Sequence, residues 1–269
     1  MQENIKTWLE SYFMSAYKCK DFNYIVLPKS LALIYKIFIE KKIFYFKTLK
    51  FEVDSFCKES SLIIQLRNQI PDLIQQPTLV DLKYNWVLSE SIPNDFRVYG
   101  VDQKIQIIRG VLSELKKIKN LNLKIKDKHF LLKNIESIQN KDELFSLAIF
   151  KKILYILSNI DYPVTTIHGD LVFNNIITYN DNVKVIDWTD CCYSYNIIDF
   201  IFLEFFDTEI KRKAYSELLG YNISDSEYKS IETIICVFYL IAYYDLKKYA
   251  SNHNSTFLRY KDRINQLLI

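Results

Sequence analysis

Apolar positions recur at helical spacing over residues 3–18 and predict an opening amphipathic helix. From Tyr24 the period shortens. The runs YIVLP, LALIYKIFI and KIFYFKTL are rich in β-branched and aromatic residues and are parted by KS and EKK, which predicts a meander of strands. Val53, Phe56, Ile63 and Leu66 return to helical spacing, in a helix that stops before Pro71. PTLVDLKYNWVLSESI supplies two more strands, and Pro93-Asn94-Asp95 breaks the pattern.

Past that break the chain reads as mostly helical. One stripe runs through Ile105, Ile108, Val111 or Leu112, Leu115 and Ile118. Another runs through Leu144, Leu147, Phe150 or Lys151, Leu154 and Leu157. A single interruption, NIITYNDNVKVIDW, places two short apolar runs around Asn180-Asp181-Asn182 and reads as a hairpin. Helices resume from Ile197. The plan is an α+β chain with a small sheet-rich lobe over residues 1–92 and a larger helical lobe over residues 93–269 that holds one hairpin.

Composition adds little to that plan but narrows the partners. With 49% apolar residues, including 20 Tyr and 18 Phe, the 269-residue chain has ample material for a packed core. A net charge of +3 is too small to imply a nucleic-acid partner. The lysine-rich stretch KKIKNLNLKIKDKHFLLK reads as a solvated helix face and loop, and as an anionic-surface binder only in a rival reading. Five cysteines without metal-type spacing read as reduced, small apolar residues. NIIDFIFLEFF is broken by Asp199 and Glu204, and the run Ile231 to Tyr244 contains Glu232 and falls short of the ~20 apolar residues that a bilayer span needs. No cleavable signal opens the chain, so the expectation is a cytoplasmic protein with no membrane partner.

The chemistry concentrates around the hairpin. IHGDLVFNN lies directly before it and VIDW directly after. A hairpin returns its ends to one place, so Asn175 at the entry and Asp187 at the exit become neighbours, with Asp170 one loop turn away. Two carboxylates and an amide oxygen are hard ligands suited to Mg²⁺ when substrate phosphates complete the shell. One carboxylate can be spared to receive a proton from a hydroxyl, the division of labour that phosphoryl transfer requires.

HGDLVFNN followed by VIDW resembles the catalytic loop of the aminoglycoside phosphotransferase and choline kinase superfamily, relatives of the protein kinases. The resemblance implies a bilobal protein-kinase-like fold using ATP (or GTP) and Mg²⁺. It makes Asp170 the catalytic aspartate and Asn175 and Asp187 the metal ligands. His168 would hold the loop, and Asp199 would brace it from the following helix. Upstream it implies that Lys47 holds the α- and β-phosphates, with Lys42 and Lys50 as rivals, and that Glu59 anchors that lysine, with Glu52 as a rival. NWVLSES would be the hinge, with Leu88 lining the base pocket and Ser89 and Ser91 as backbone contacts. The chain has no glycine before Gly100, so the phosphate loop of the resemblance falls to LPKSLAL and Ser30.

The acceptor implied is a small-molecule hydroxyl, on a cationic aminoglycoside-type antibiotic, in a monomer or homodimer. A metabolic alcohol such as choline, ethanolamine, a sugar or an amino-acid alcohol is the alternative, because polycationic substrates favour acidic enzymes. A nucleotide-binding pseudokinase is a second alternative, motivated by the missing glycine loop.

Overall fold

The structure, a computed structural model, describes residues 3–19, 21–28, 32–49, 58–247 and 251–269. Ser30, Lys50, Glu52, Val53, Phe56 and Cys57 lie outside the described residues. Contacts divide the chain into two compact units, Met1–Glu52 with Gln76–Ile92, and Val53–Gln75 with Pro93–Ile269. The first unit ends where the sequence breaks, at residue 92, while residues 53–75 group with the second.

In the first unit, α1 (Glu3–Tyr17) precedes the strands β1 (Asn23–Pro28), β2 (Ala32–Ile39), β3 (Lys42–Leu49), β4 (Leu79–Asp81) and β5 (Trp86–Glu90). They form one antiparallel sheet in the order β1-β2-β3-β5-β4. Strand alternation sends Tyr35, Ile37, Ile39, Phe44, Phe46, Trp86 and Leu88 to one face, where they close a core with Ile5, Leu9 and Phe13 of α1. The opposite face carries Lys47, which pairs across the ladder with Ile34 and Val87 and is half-buried.

The second unit is mostly helical. It begins with α2 (Glu59–Arg67) and continues with α3 (Val101–Leu115), α4 (Lys128–Asp142), α5 (Leu147–Ser158), α6 (Thr208–Leu219), α7 (Asp225–Leu246) and α8 (Ser251–Leu268). Helix α7 packs against α4, α5, α8 and the 3₁₀ segment Asn196–Leu203. Side-chain caps fix the starts of four helices: Asp127 to Phe130 N–H, Ser146 to Ile149, Asp207 to Ile210 and Ser224 to Glu227.

The expected hairpin is present as β7 (Ile176–Tyr179) and β8 (Asn182–Val185). Asn180 and Asp181 at its tip have φ of 48° and 61°, the left-handed pair a two-residue turn requires. The Pro93-Asn94-Asp95 break is tied to the same hairpin. Asn94 Nδ2 donates to Ile176 O at 3.0 Å, its Oδ1 accepts from Thr178 N–H at 3.1 Å, and Asp95 N–H donates to Thr178 O at 2.9 Å.

Three readings need correction. The hairpin is not isolated, since β6 (Val164–Ile167) and β9 (Cys192–Tyr195) form a second two-stranded antiparallel sheet flanking it in sequence. The stripe through Leu144, Leu147 and Leu154 is rotated. Glu143 ends α4 in the left-handed region and Ser146 caps a new helix, so Ile153 and Leu157 face inward while Leu147 is 68% exposed. Lys126 is not solvated. It is buried with its ammonium 5.2 Å from the centre of the Phe238 ring, while its N–H donates to Tyr193 O. No helix among the described residues is long and apolar enough to cross a membrane.

Candidate active site

Strand β6 delivers the chain into the loop His168–Asn175, and β7 carries it away. The loop is held from several sides. Asp199, fully buried at the start of the 3₁₀ segment, accepts the N–H of His168 at 2.8 Å and of Gly169 at 2.9 Å. Burial pushes its carboxyl up to about 7, with the two N–H donors pulling the other way. His168 has Nε2 3.0 Å from Ile186 O, and its Nδ1 accepts from Asp170 N–H at 3.2 Å. These partners select the neutral Nε2–H tautomer. Both ring nitrogens are thus committed to the loop, and the ring packs edge-on against Trp188 at 4.7 Å.

Gly169 carries a requirement of its own. Its φ is +82°, and a Cβ built there would lie 2.3 Å from the carbonyl oxygen of Asp190. The glycine therefore serves a left-handed turn and a close backbone approach at once. Its own carbonyl accepts a bond from Tyr239 Oη, on α7, at 2.8 Å. Tyr239 is buried, and burial raises its phenol well above the ordinary range, so it stays a donor. We predict that Tyr239→Phe, which strands that carbonyl, lowers stability by about 1–2 kcal/mol. An unchanged urea midpoint would show the bond to be dispensable.

Asp170 meets Asn175 directly. Asn175 Nδ2 donates to Asp170 Oδ2 at 3.0 Å and to Asp170 O at 2.8 Å. The backbone then locks the hairpin base, with Ile186 N–H donating to Asn175 O at 3.0 Å. Asp187 is the next residue, so entry and exit do meet. It adopts φ 62° and ψ 64°, unusual for a non-glycine, and its Oδ1 accepts from Thr189 Oγ1 at 2.6 Å. Burial raises the Asp170 carboxyl to about 7, helped by the neighbouring charges of Asp190, Asp187 and Asp199 and opposed by Asn175. A site crowded with like charge favours a cation.

The donor set fits Mg²⁺. With both Nδ2 protons of Asn175 donated to Asp170, Oδ1 is the atom that would face an ion, and Asp187 would add a carboxylate. Among the described residues no three His, Cys, Asp or Glu side chains form a metal cluster by themselves.

The upstream residues are placed less uniformly. Glu59, buried at the start of α2, accepts from the N–H of Trp188 at 3.1 Å and so reaches the residue after Asp187. Lys47 lies in the first unit, on the sheet face away from α1. Leu88 is a correction. It sits fully buried in the core against α1, on the face opposite Lys47, because strand alternation pairs it with Phe46. Its side chain therefore lines no base pocket. Ser89 follows on the Lys47 face and is half-buried, whereas Ser91 N–H is already donated to Ile43 O at 2.7 Å. Sequence reasoning missed Tyr239, which only the packing of α7 brings to the loop.

Residues 127–227 match the sequence profile of the phosphotransferase enzyme family. No curated protein sequence matches the chain. Among solved structures, a choline/ethanolamine kinase family protein from Mesorhizobium loti superposes with a TM-score of 0.70 at 9% identity, over 98% of this chain and 94% of the other. The GDP complex of aminoglycoside 2'-phosphotransferase-IIIa gives 0.70 at 15% identity, over 96% and 98%. Choline kinase LicA from Streptococcus pneumoniae gives 0.68 at 12% identity, over 98% and 100%. At these identities the likeness establishes the fold, a mixed helix-and-sheet kinase fold, and with the matched region it bears out the resemblance read from the loop motif.

Proposed function

We propose, from the premise that residues 127–227 are a phosphotransferase-family region, that this chain moves the γ-phosphate of ATP or GTP to a hydroxyl of a small molecule. The observation that carries the reading is the bond of Asn175 to Asp170, made where the hairpin base brings Asn175 next to the Ile186–Asp187 step. Asp170 orients the acceptor hydroxyl and takes its proton, and its raised pKa suits a base working near neutrality. Asn175 and Asp187 hold Mg²⁺, which when bound neutralises charge on the transferred group. Lys47 keeps the phosphate-binding role that the resemblance implies, while Glu59 fixes the Trp188 backbone beside Asp187. Most of the rate then comes from positioning and electrostatics.

A cationic acceptor is favoured by what surrounds Asp170. The carboxylates of Asp190 and Asp187 add to burial in holding its pKa up, so negative charge gathers there. Carboxylates are groups that receive amines and ammonium ions. An aminoglycoside-type antibiotic is our first acceptor, as for the neighbour that phosphorylates aminoglycosides. The net charge of +3 keeps a smaller amino alcohol as the alternative. The test is coupled ADP release over a panel of aminoglycosides, choline analogues and sugars. Acceptor-dependent release that EDTA abolishes is expected. Nucleotide binding without Mg²⁺-dependent release on any acceptor would favour the pseudokinase.

A further inference from the structure

A recess abuts the loop His168–Asn175. It encloses about 350 Å³ and is lined mainly by Phe96, Phe173, Phe202 and Phe205, with Arg97 and Lys104. That volume is within the range of small-molecule pockets, ~300–1,000 Å³. Its walls come from the segment before α3, from α3, from the loop and from the 3₁₀ segment, so all of it belongs to the second unit.

The charge at its mouth is one-sided, with Arg97 exposed and Lys104 half-buried. No carboxylate lines the recess, and among the described residues the partners of Arg97 and Lys104 are an amide oxygen, a carbonyl and a ring rather than a carboxylate. Arg97 Nη2 donates to Asn174 Oδ1 at 2.9 Å, a neutral partner that leaves the guanidinium charge uncompensated. Lys104 reaches the Arg97 carbonyl at 3.4 Å and lies 5.3 Å from the centre of the Phe173 ring. The aromatic side is similarly incomplete. Phe173 makes ring contacts with Phe96, Phe202 and Phe206, yet Phe205 at the rim is 75% exposed. Two unmatched cations above an apolar floor complement a ligand with a ring and a negative charge.

We propose that this recess binds a small organic anion with an aromatic or apolar body, its carboxylate, sulfonate or phosphate held by Arg97 and Lys104. The occupant rests on Phe173 and Asn174, which lie between Asp170 and Asn175 along the chain. The anion is either a second, negatively charged substituent of an acceptor whose amine meets Asp170 and Asp190, or part of a separate ligand, and the chemistry of recognition is the same for both.

The probe is naphthalene-1-sulfonate, with 1-naphthol as its uncharged counterpart, titrated by calorimetry into the full chain. Saturable one-to-one binding of the sulfonate is expected, about tenfold tighter than the naphthol, a difference of ~1.4 kcal/mol. The Arg97→Gln/Lys104→Gln double variant should weaken the sulfonate by at least about tenfold and leave the naphthol within about twofold. Equal affinity for the two probes on the unaltered protein, or undiminished sulfonate binding by a folded double variant, overturns the proposal. A further arm, which rests on the kinase reading, separates the two sources. Inhibition of ADP release that acceptor overcomes identifies the acceptor's own substituent, and a lowered kcat at unchanged KM identifies a separate ligand. The binding arm stands or falls without any turnover.

Discussion

Asp170→Asn is expected to lower acceptor-dependent ADP release by about 10²–10⁴-fold, the usual contribution of a positioned proton acceptor. The amide keeps the bond to Asn175, since its oxygen still accepts from Nδ2, so the loop geometry survives. The same change should stabilise the metal-free protein. The folded carboxyl titrates near 7 against an ordinary value of 3.8, so it binds its proton more tightly in the fold than in the unfolded chain. Ionisation therefore opposes folding. The penalty is absent below the unfolded pKa, grows as the pH rises through the interval and is complete above the folded pKa. Asparagine removes it, and in EDTA at about pH 8 the variant should gain on the order of 1–3 kcal/mol, vanishing toward pH 3.5. Undiminished turnover would remove Asp170 from the catalytic role, and a gain that persisted in acid would remove the explanation by burial and neighbouring charge.

Glu232→Ala should produce the largest loss of stability. Glu232 sits on α7 with 4% exposure and joins three helices. Lys211 of α6 approaches its two oxygens at 3.0 and 3.3 Å, Tyr215 of α6 donates to Oε1, and Arg263 of α8 donates to Oε2 at 3.0 Å. Burial alone would raise its pKa, but Lys211, Tyr215 and Arg263 together hold it below the ordinary range. Alanine leaves Lys211 buried without its counter-ion, and breaking such a pair costs about 3–5 kcal/mol. Urea denaturation measures it, and a loss below about 1 kcal/mol would show the network to be nearly neutral. The lowered pKa fixes the sign with pH. This contribution is present above Glu232's unfolded value and fades as acid titrates the carboxylate through its folded value.

Glu232 also marks the boundary of sequence reading. In the sequence it is a charge interrupting an apolar run, enough to argue against a membrane span and nothing more. Its role appears only when α6 and α8 arrive with Lys211 and Arg263, from 21 residues before and 31 after. Tyr239 is a similar case. One tyrosine among 20 has no local signature, and its bond to Gly169 spans 70 residues. Leu88 fails for a simpler reason. The hinge resemblance supplied the strand but not which face of the pleat each side chain takes, and one residue of register decides that.

By itself the sequence determined the strands of the first sheet, the hairpin around Asn180-Asp181-Asn182, and the meeting of its two ends at Asn175 and Ile186. Each rests on a short-range signal: a two-residue alternation, a left-handed turn, or spacing within about 20 residues. Tertiary structure alone decided the β6–β9 pairing, the bracing of the loop by Tyr239 and the hub at Glu232. It also decided the rotation of the α5 face and the recess beside Phe173. Those depend on which helix faces meet, and that is fixed by simultaneous burial of distant residues rather than by any periodicity along one segment.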